Sequence, residues 1–371
     1  MLTMASFASW FYTLTLPFYF LWLAVVAGHL GKLATLTLTI IVFSSWFYIL
    51  IQPPKPDICG TPGGPPITAK RIRLRDGRSL SYFETGVSKD IAKFKIVLAH
   101  GFTGSRMDTL RTTTEIIEEL GVYMVGYDRA GHGESDPNPR SSLRSEAYDL
   151  EELADALDLG PTFHVVGSSL GGYAVWACLK YIPTRLAGAA MLAPVINYRW
   201  PGFPNNLSKE AYYQQGKGDQ WALRVAYYVP WLLNWWLNQS WLPSPTVIKG
   251  TTFLPNRLDS QFRDQAMSTG IFHKRMNLSI LQGVHESLHR DLMVMFGKWE
   301  FDPMDLPPPS IPVHLWHGYE DGIVPVTLQR YICHRLNWIK YHELPSGRHF
   351  LSAIPGFDGN VLKTLLLQSC A

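Results

Sequence analysis

Hydrophobic positions are spread unevenly along this chain, and their spacing changes character from one region to the next. Residues 1–51 are almost continuously apolar, with one run from Trp10 to Ala27 and a second from Leu33 to Ile51. The break between them is Gly28-His29-Leu30-Gly31-Lys32. Each run is about as long as a helix needs to be to cross a hydrocarbon core of roughly 30 Å. From Ala69 onward the apolar segments shorten and alternate between strand and helix spacing. The pattern predicts strands at Arg71–Leu74, Leu80–Phe83, Lys95–Ala99, Gly121–Tyr127, Phe163–Val166 and Ala187–Leu192. Asp76-Gly77 marks a hairpin turn between the first two. Helices are predicted at Met107–Leu120, Leu143–Leu157 and Leu170–Tyr181. The alternation stops near Asn197 and gives way to a Trp-, Tyr- and Pro-rich stretch with helical spacing, Tyr198 to about Pro309. It then resumes with a strand at Ile311–Trp316, a helix at Leu328–Leu336, a strand at Ile339–Leu344 and a helix at Val361–Leu367.

Strands separated by helices imply an α/β fold, a mostly parallel sheet covered on both faces. The expected organisation is therefore a membrane anchor over residues 1–51 and a Pro/Gly-rich linker over 52–69. A core in two parts, 70–196 and 310–371, is interrupted by a helical insertion over 197–309.

The N-terminal runs admit three arrangements: a hairpin of two transmembrane helices, a cleaved signal peptide followed by one anchor, or a buried pair of soluble helices. A signal peptide wants a basic leading segment, and Met1–Ser9 has no basic residue. A soluble pair would carry a polar face, which these runs lack. The helical hairpin is the expected form. Lys55, Lys70, Arg71, Arg73 and Arg75 follow the second run and favour a cytosolic placement of the domain after it, here expected on the endoplasmic reticulum membrane. Three glycosylation triplets, at Asn206, Asn238 and Asn277, stand against that orientation.

Composition narrows the functional classes. The formal net charge of +3 over 371 residues, with Lys and Arg scattered, does not provide a nucleic-acid footprint. The four cysteines, Cys59, Cys178, Cys333 and Cys370, form no Cys-x-x-Cys pair and lie near no cluster of histidines. They predict neither a zinc site nor a disulfide framework, and no metal or cofactor is expected.

The chemistry is carried by spacing and order. Gly167-Ser168-Ser169-Leu170-Gly171 fits Gly-x-Ser-x-Gly at a strand-to-helix junction. Such a turn is tight, needs small residues two before and two after, and lifts the central hydroxyl above the sheet at a helix N-terminus. That makes Ser169 rather than Ser168 the candidate nucleophile. His100-Gly101-Phe102 follows the strand ending at Ala99, where one oxyanion donor is expected. The backbone N–H groups of Phe102 and Leu170 are the candidate pair. His100 is expected to shape that loop. A serine needs a base, and the base an orienting acid. His317-Gly318-Tyr319-Glu320-Asp321 follows a late strand and offers Asp321, with Glu320 as the alternative. His349 lies in Pro345-Ser346-Gly347-Arg348-His349-Phe350 after the last strand, and is the candidate base. Asp128, Arg129 and His132, in Tyr127–Ser135, read as structural hydrogen-bonding groups.

Together these residues resemble the α/β-hydrolase superfamily, over a stretch from about Arg71 to the C-terminus that excludes most of the insertion. Leu179-Lys180-Tyr181-Ile182-Pro183 and Leu186-Ala187-Gly188-Ala189-Ala190 add a closer likeness to a plant group of membrane-anchored, esterase- or lipase-like members. The resemblance implies that residues near 197–305 form a cap over the site. Epoxide hydrolases and haloalkane dehalogenases use Asp as nucleophile, whereas position 169 is Ser. Proline iminopeptidases carry a different oxyanion loop from His-Gly-Phe-Thr-Gly. Hydroxynitrile lyases share the triad and stay open on this ground. The expected activity is hydrolysis of a carboxylic ester, apolar or lipid-like, by a carboxylesterase or lipase-like enzyme. A binding module with little turnover and an acyltransferase using the same acyl-enzyme are the competing readings. The aromatic residues Trp200, Trp221, Tyr227, Tyr228, Trp231, Trp235, Trp236 and Trp241 serve either insertion packing or an apolar acyl or membrane-contact surface, with Trp231, Trp235 and Trp236 expected on one helical face.

Overall fold

The computed structural model describes residues 31–243 and 268–367, with the isolated positions 19, 22, 245, 261 and 264. Most of the first apolar run, Trp10–Ala27, and Cys370 lie outside the described residues. The second run forms helix α1 (Lys32–Ile51). Its 18-residue stretch Ala34–Ile51 has a mean hydropathy of 2.0, and Ile51 is its one buried residue, the others being exposed or half-buried. A core helix of a soluble protein would be covered. By length and composition α1 is able to cross a membrane.

Eight strands follow: β1 (Lys70–Arg73), β2 (Ser79–Gly86), β3 (Phe94–Ala99), β4 (Val122–Tyr127), β5 (Phe163–Ser168), β6 (Leu186–Leu192), β7 (Val313–Gly318) and β8 (Ile339–Leu344). They form one sheet in the order β1-β2-β4-β3-β5-β6-β7-β8. The β1/β2 and β2/β4 pairs are antiparallel and every other pair is parallel. Gly77 takes a positive φ of 91° in the β1–β2 turn, the backbone freedom that Asp-Gly signalled.

Among the described residues the further helices are α2 (Thr114–Leu120), α3 (Leu143–Ala156), α4 (Gly172–Tyr181), α5 (Asn205–Tyr213), α6 (Lys217–Tyr228), α7 (Leu233–Leu237), α8 (Ile271–Ser279), α9 (Arg290–Phe296), α10 (Val326–Arg335) and α11 (Phe357–Leu367). Helices α2, α3, α4, α10 and α11 divide between the sheet faces. Val97, Ala99, Val125 and Val165 pack with α3, α4 and α10, while Ile96, Leu98, Met124 and Val166 pack with α11 and the end of α2. The two-residue period of the strands distributes their side chains to these two cores. Helix α3 begins at a capping box in which Ser142 accepts from the Ser145 N–H.

Three sequence expectations need correction. The helix predicted over Met107–Leu120 begins only at Thr114. Residues 107–113 are held irregular by tertiary bonds: Asp108 pairs with Arg275, and the Arg111 N–H donates to Asp358. The helix predicted from Leu170 starts at Gly172, because Ser169–Gly171 is a 3₁₀ turn. Trp231, Trp235 and Trp236 do not lie on one α-helix. Trp231 lies on the 3₁₀ turn Pro230–Leu232, Trp235 meets Trp241 and Trp236 stacks on Trp221. The aromatic residues also divide by burial, with Trp200 buried and Trp221, Tyr228, Trp231 and Trp241 exposed.

Helices α5–α9 lie between β6 and β7 in sequence, and their side chains reach the loops at the strand ends. Asp291 of α9 meets Arg129 at 2.5 Å and His132 at 3.3 Å. Arg275 of α8 meets Asp108 at 2.5 Å, and Gln215 donates to the Ile323 carbonyl at 3.4 Å. Asp128 accepts from the Arg106 N–H at 2.6 Å and from Ser81 at 2.7 Å, within a fully buried network. These bonds supply the partners that buried polar groups need.

Candidate active site

The site is built on the junction of β5 and α4. Strand and helix crowd together there, so neither Gly167 nor Gly171 has room for a side chain. A Cβ on Gly167 would overlap the Gly171 carbonyl, and one on Gly171 would overlap the Ala99 carbonyl. Ser169, at the apex, has φ of 52°, a left-handed conformation rarely taken by a non-glycine residue. Its hydroxyl is thereby turned away from the sheet and stands 2.8 Å from Nε2 of His349.

His349 is placed by the loop after β8, which interlocks with the turn after β7. The Tyr319 N–H donates to the Leu344 carbonyl at 3.0 Å and the Glu320 N–H to the Gly347 carbonyl at 2.9 Å. Gly318 and Gly347 come so close that a Cβ on Gly318 would overlap the Gly347 backbone. This brings Nδ1 of His349 to 2.9 Å from Oδ2 of Asp321. The carboxylate can only accept, so Nδ1 carries the proton and the Nε2 lone pair faces Ser169. Asp321 is the member of the acidic pair that reaches His349; Glu320 sits on the exposed side of the turn.

The Asp321 carboxylate is fully buried and closely held. Oδ1 accepts from the Ile323 and Val324 N–H groups, each at 2.8 Å. Nε2 of His317 lies 3.3 Å from Oδ2 and 3.1 Å from the Val324 carbonyl. Burial pushes the Asp321 carboxyl upward. The His349 imidazole, its hydrogen bond, His317 and the Val324 N–H outweigh that and hold it below the usual carboxylate range. His317 lies in the same His-Gly segment as Asp321, and its contact with the acid is not legible in the sequence. No spacing rule signals it, because the two residues face each other across a turn that follows a strand.

The loop after β3 passes directly beside the serine. A Cβ on Gly101 would lie 3.4 Å from the Ser169 Cβ. His100 accepts the Arg129 N–H at Nε2, 3.2 Å away, so its Nδ1–H donates to the Gly101 carbonyl at 2.8 Å. Burial, then the neighbouring Arg129 and His132, hold its pKa well below the ordinary histidine value. His100 is thus a neutral brace for the turn that carries Phe102. Leu170 lies in the first turn after Ser169, where backbone N–H groups have no partner within the helix. Among the described residues no group of three His, Cys, Asp or Glu is arranged to hold a metal ion.

A mostly parallel eight-stranded sheet bearing a serine on a strand–turn–helix elbow is the architecture of an α/β-hydrolase. The chain belongs to the alpha/beta hydrolase family, whose model matches residues 96–353. Lipase 1 of Psychrobacter immobilis is 32% identical over 105 residues, a match spanning 28% of this chain and 31% of that protein. A non-heme chloroperoxidase of Streptomyces lividans is 24% identical over 259 residues, 68% of this chain and 83% of that protein. Among solved structures, a thermophilic esterase from Thermogutta terrifontis superimposes with a TM-score of 0.55 at 20% identity, covering 82% of this chain and 100% of its own. A hydrolase from Pseudomonas aeruginosa gives a TM-score of 0.56 at 20% identity, covering 80% of this chain and 97% of its own.

Proposed function

We propose that this protein is a membrane-anchored serine hydrolase that cleaves a carboxylic ester, apolar or lipid-like, through an acyl-enzyme on Ser169. The observation that carries this reading is the continuous relay from Ser169 through His349 to Asp321, at 2.8 and 2.9 Å. In the proposed reaction Ser169 Oγ attacks the ester carbonyl carbon while His349 Nε2 takes its proton. Asp321 keeps the imidazole in the required tautomer and stabilises its charged form. The Phe102 and Leu170 N–H groups hold the oxyanion, and losing one such donor raises the barrier by about 3 kcal/mol. As the tetrahedral species collapses, His349 returns the proton to the leaving alcohol. It then takes a proton from the water that attacks the acyl-enzyme, and Ser169 is released with its own proton restored.

The names of the relatives, a lipase and an esterase among them, support an ester as the bond broken. The length and exposure of α1 support anchoring. We read residues 197–309 as the cap, because Arg275, Asp291 and Gln215 all reach loops that carry or flank the site. The basic residues after α1 support a cytosolic domain. Asn206, Asn238 and Asn277 are all exposed, so a mobility shift after glycosidase treatment would reverse that orientation.

A fluorophosphonate probe tests the nucleophile. Wild-type protein is expected to label and Ser169→Ala to stay unlabelled. Equal labelling of both, or none of wild type, would overturn the assignment. A binding module would label without turning over esters, and an acyltransferase would turn over only with an alcohol acceptor.

A further inference from the structure

Helix α1 does not leave the domain on a loose tether. Its Phe47 ring meets the ring of Trp231 edge-on, with centroids 6.5 Å apart, where α1 runs beside α7. Ile51, its last residue, is buried. Six residues later the chain is strapped to the domain: the Asp57 N–H donates to the Gln282 carbonyl at 3.2 Å and the Cys59 N–H to the Gln282 side chain at 3.2 Å. Gln282 is itself fully buried and donates to the Gly133 and Ser135 carbonyls. A span of six residues reaches at most about 20 Å. The domain therefore presents one defined side to whatever surrounds α1.

That side has the composition of a membrane interface. Phe47 lies four residues before the end of α1, about 6 Å along the axis, so in a spanning α1 it stands about one helical turn inside the edge of the hydrocarbon core. Trp231 touches it there, yet remains 57% exposed, and Tyr228 is 64% exposed. The Arg199 guanidinium sits over Tyr228 at 4.8 Å and donates to its hydroxyl at 3.1 Å. Lys298 lies over the neighbouring Tyr227 at 5.9 Å. Exposed Trp and Tyr with Arg and Lys beside them match the aromatic belt and the phosphate layer of a bilayer.

We infer that the Tyr228–Trp231 corner is seated in the interfacial layer of the phospholipid bilayer that α1 crosses, as a second membrane contact beside the anchor. The inference rests on the reading of α1 as a membrane anchor. It sharpens the substrate class to esters that partition into the bilayer, because the segment read as the cap is held at headgroup height.

The test uses the full chain reconstituted in phosphatidylcholine nanodiscs. A spin-labelled p-acetylphenylalanine replaces Trp231, Phe43 of α1 or Ile91, an exposed residue between β2 and β3. Power saturation then compares accessibility to oxygen with accessibility to a water-soluble nickel chelate. The ratio is expected to be severalfold higher at positions 231 and 43 than at 91, since apolar side chains at the interface sit in the headgroup/acyl boundary. A lipid-like ratio at 43 with a water-like ratio at 231 overturns the inference and leaves the anchor intact. Water-like ratios at both overturn the inference together with the anchor. As a check independent of labelling, Trp231→Glu is expected to slow hydrolysis of a long-chain ester embedded in the nanodisc while leaving a short water-soluble ester unaffected. Equal rates for wild type and Trp231→Glu on the embedded ester contradict the inference.

Discussion

Asp321 is the most constrained residue of the site, with four protein groups converging on two oxygens. Its role and that of Glu320 separate by substitution. Asp321→Asn leaves the shape but disturbs the imidazole tautomer, and kcat is expected to fall on the order of 10⁴-fold. Glu320→Gln should leave kcat unchanged, since its side chain lies on the exposed side of the turn. His317→Leu removes the group facing Oδ2 and loosens the carboxylate, so kcat should drop roughly 10- to 100-fold with KM held. Steady-state kinetics on a soluble ester checks all three, and an equal loss in KM would mean that His317 acts on binding instead. The order serine, acid, histidine was legible from the chain because each candidate follows a predicted strand. The turn places Asp321, and not Glu320, against His349. The part played by His317 was hidden, because a contact between two residues across a turn leaves no periodic trace.

At the scale of elements, the elbow is where packing and geometry coincide. Gly171→Ala would drive a methyl group into the Ala99 carbonyl, and backbone cannot yield as a flexible side chain can. A loss of about 1–3 kcal/mol of stability is expected, read from the denaturation midpoint at unchanged slope. An unchanged midpoint would show that β5 and α4 pack less tightly than described. The strands were read from sequence to within a few residues, because those of the sheet core are short apolar runs bounded by turn residues. The helix over Met107–Leu120 was overextended. Its apolar spacing continues through residues that ion pairs and backbone-to-carboxylate bonds hold out of helical conformation, and those partners lie far away in the chain. The Trp cluster departs from its helical spacing for a related reason: Trp231 lies on a 3₁₀ turn just before the short α-helix that carries Trp235 and Trp236.

The whole molecule carries buried charge that the chemistry does not use, and this sets how its stability varies with pH. Glu146 accepts from Tyr127 at 2.5 Å and lies wholly buried near Arg129. Burial pushes its carboxyl up to about 7, against the opposing pull of Arg129 and the Tyr127 hydrogen bond. Between the ordinary value of 4.5 and about 7 the folded protein holds a proton there that the unfolded chain has released. Stability from this group is therefore lost as pH rises through that window, by about 3 kcal/mol in all. Buried histidines act in the opposite sense. His164 is lowered to about 4 and His289 to about 3, chiefly by burial, so their contribution is lost as pH falls below the ordinary value of 6.5. The difference in stability between wild type and Glu146→Gln isolates the carboxyl, and wild type should lose ground steadily from pH 4.5 to 7. A flat difference would show that Glu146 is ionised throughout. The sheet, the interrupted α/β order and an apolar N-terminal helix were all legible in the sequence. The strap from Asp57 and Cys59 to Gln282 was not, since it joins residues more than 200 positions apart.

A covalent acyl group on Ser169 should be visible in rapid-quench mass spectrometry of intact protein mixed with a p-nitrophenyl ester. The expected result is a transient gain of one acyl mass that maps to Ser169 and is absent from Ser169→Ala. Hydrolysis by Ser169→Ala at the wild-type rate, or an acyl adduct mapped to Ser168, would contradict it.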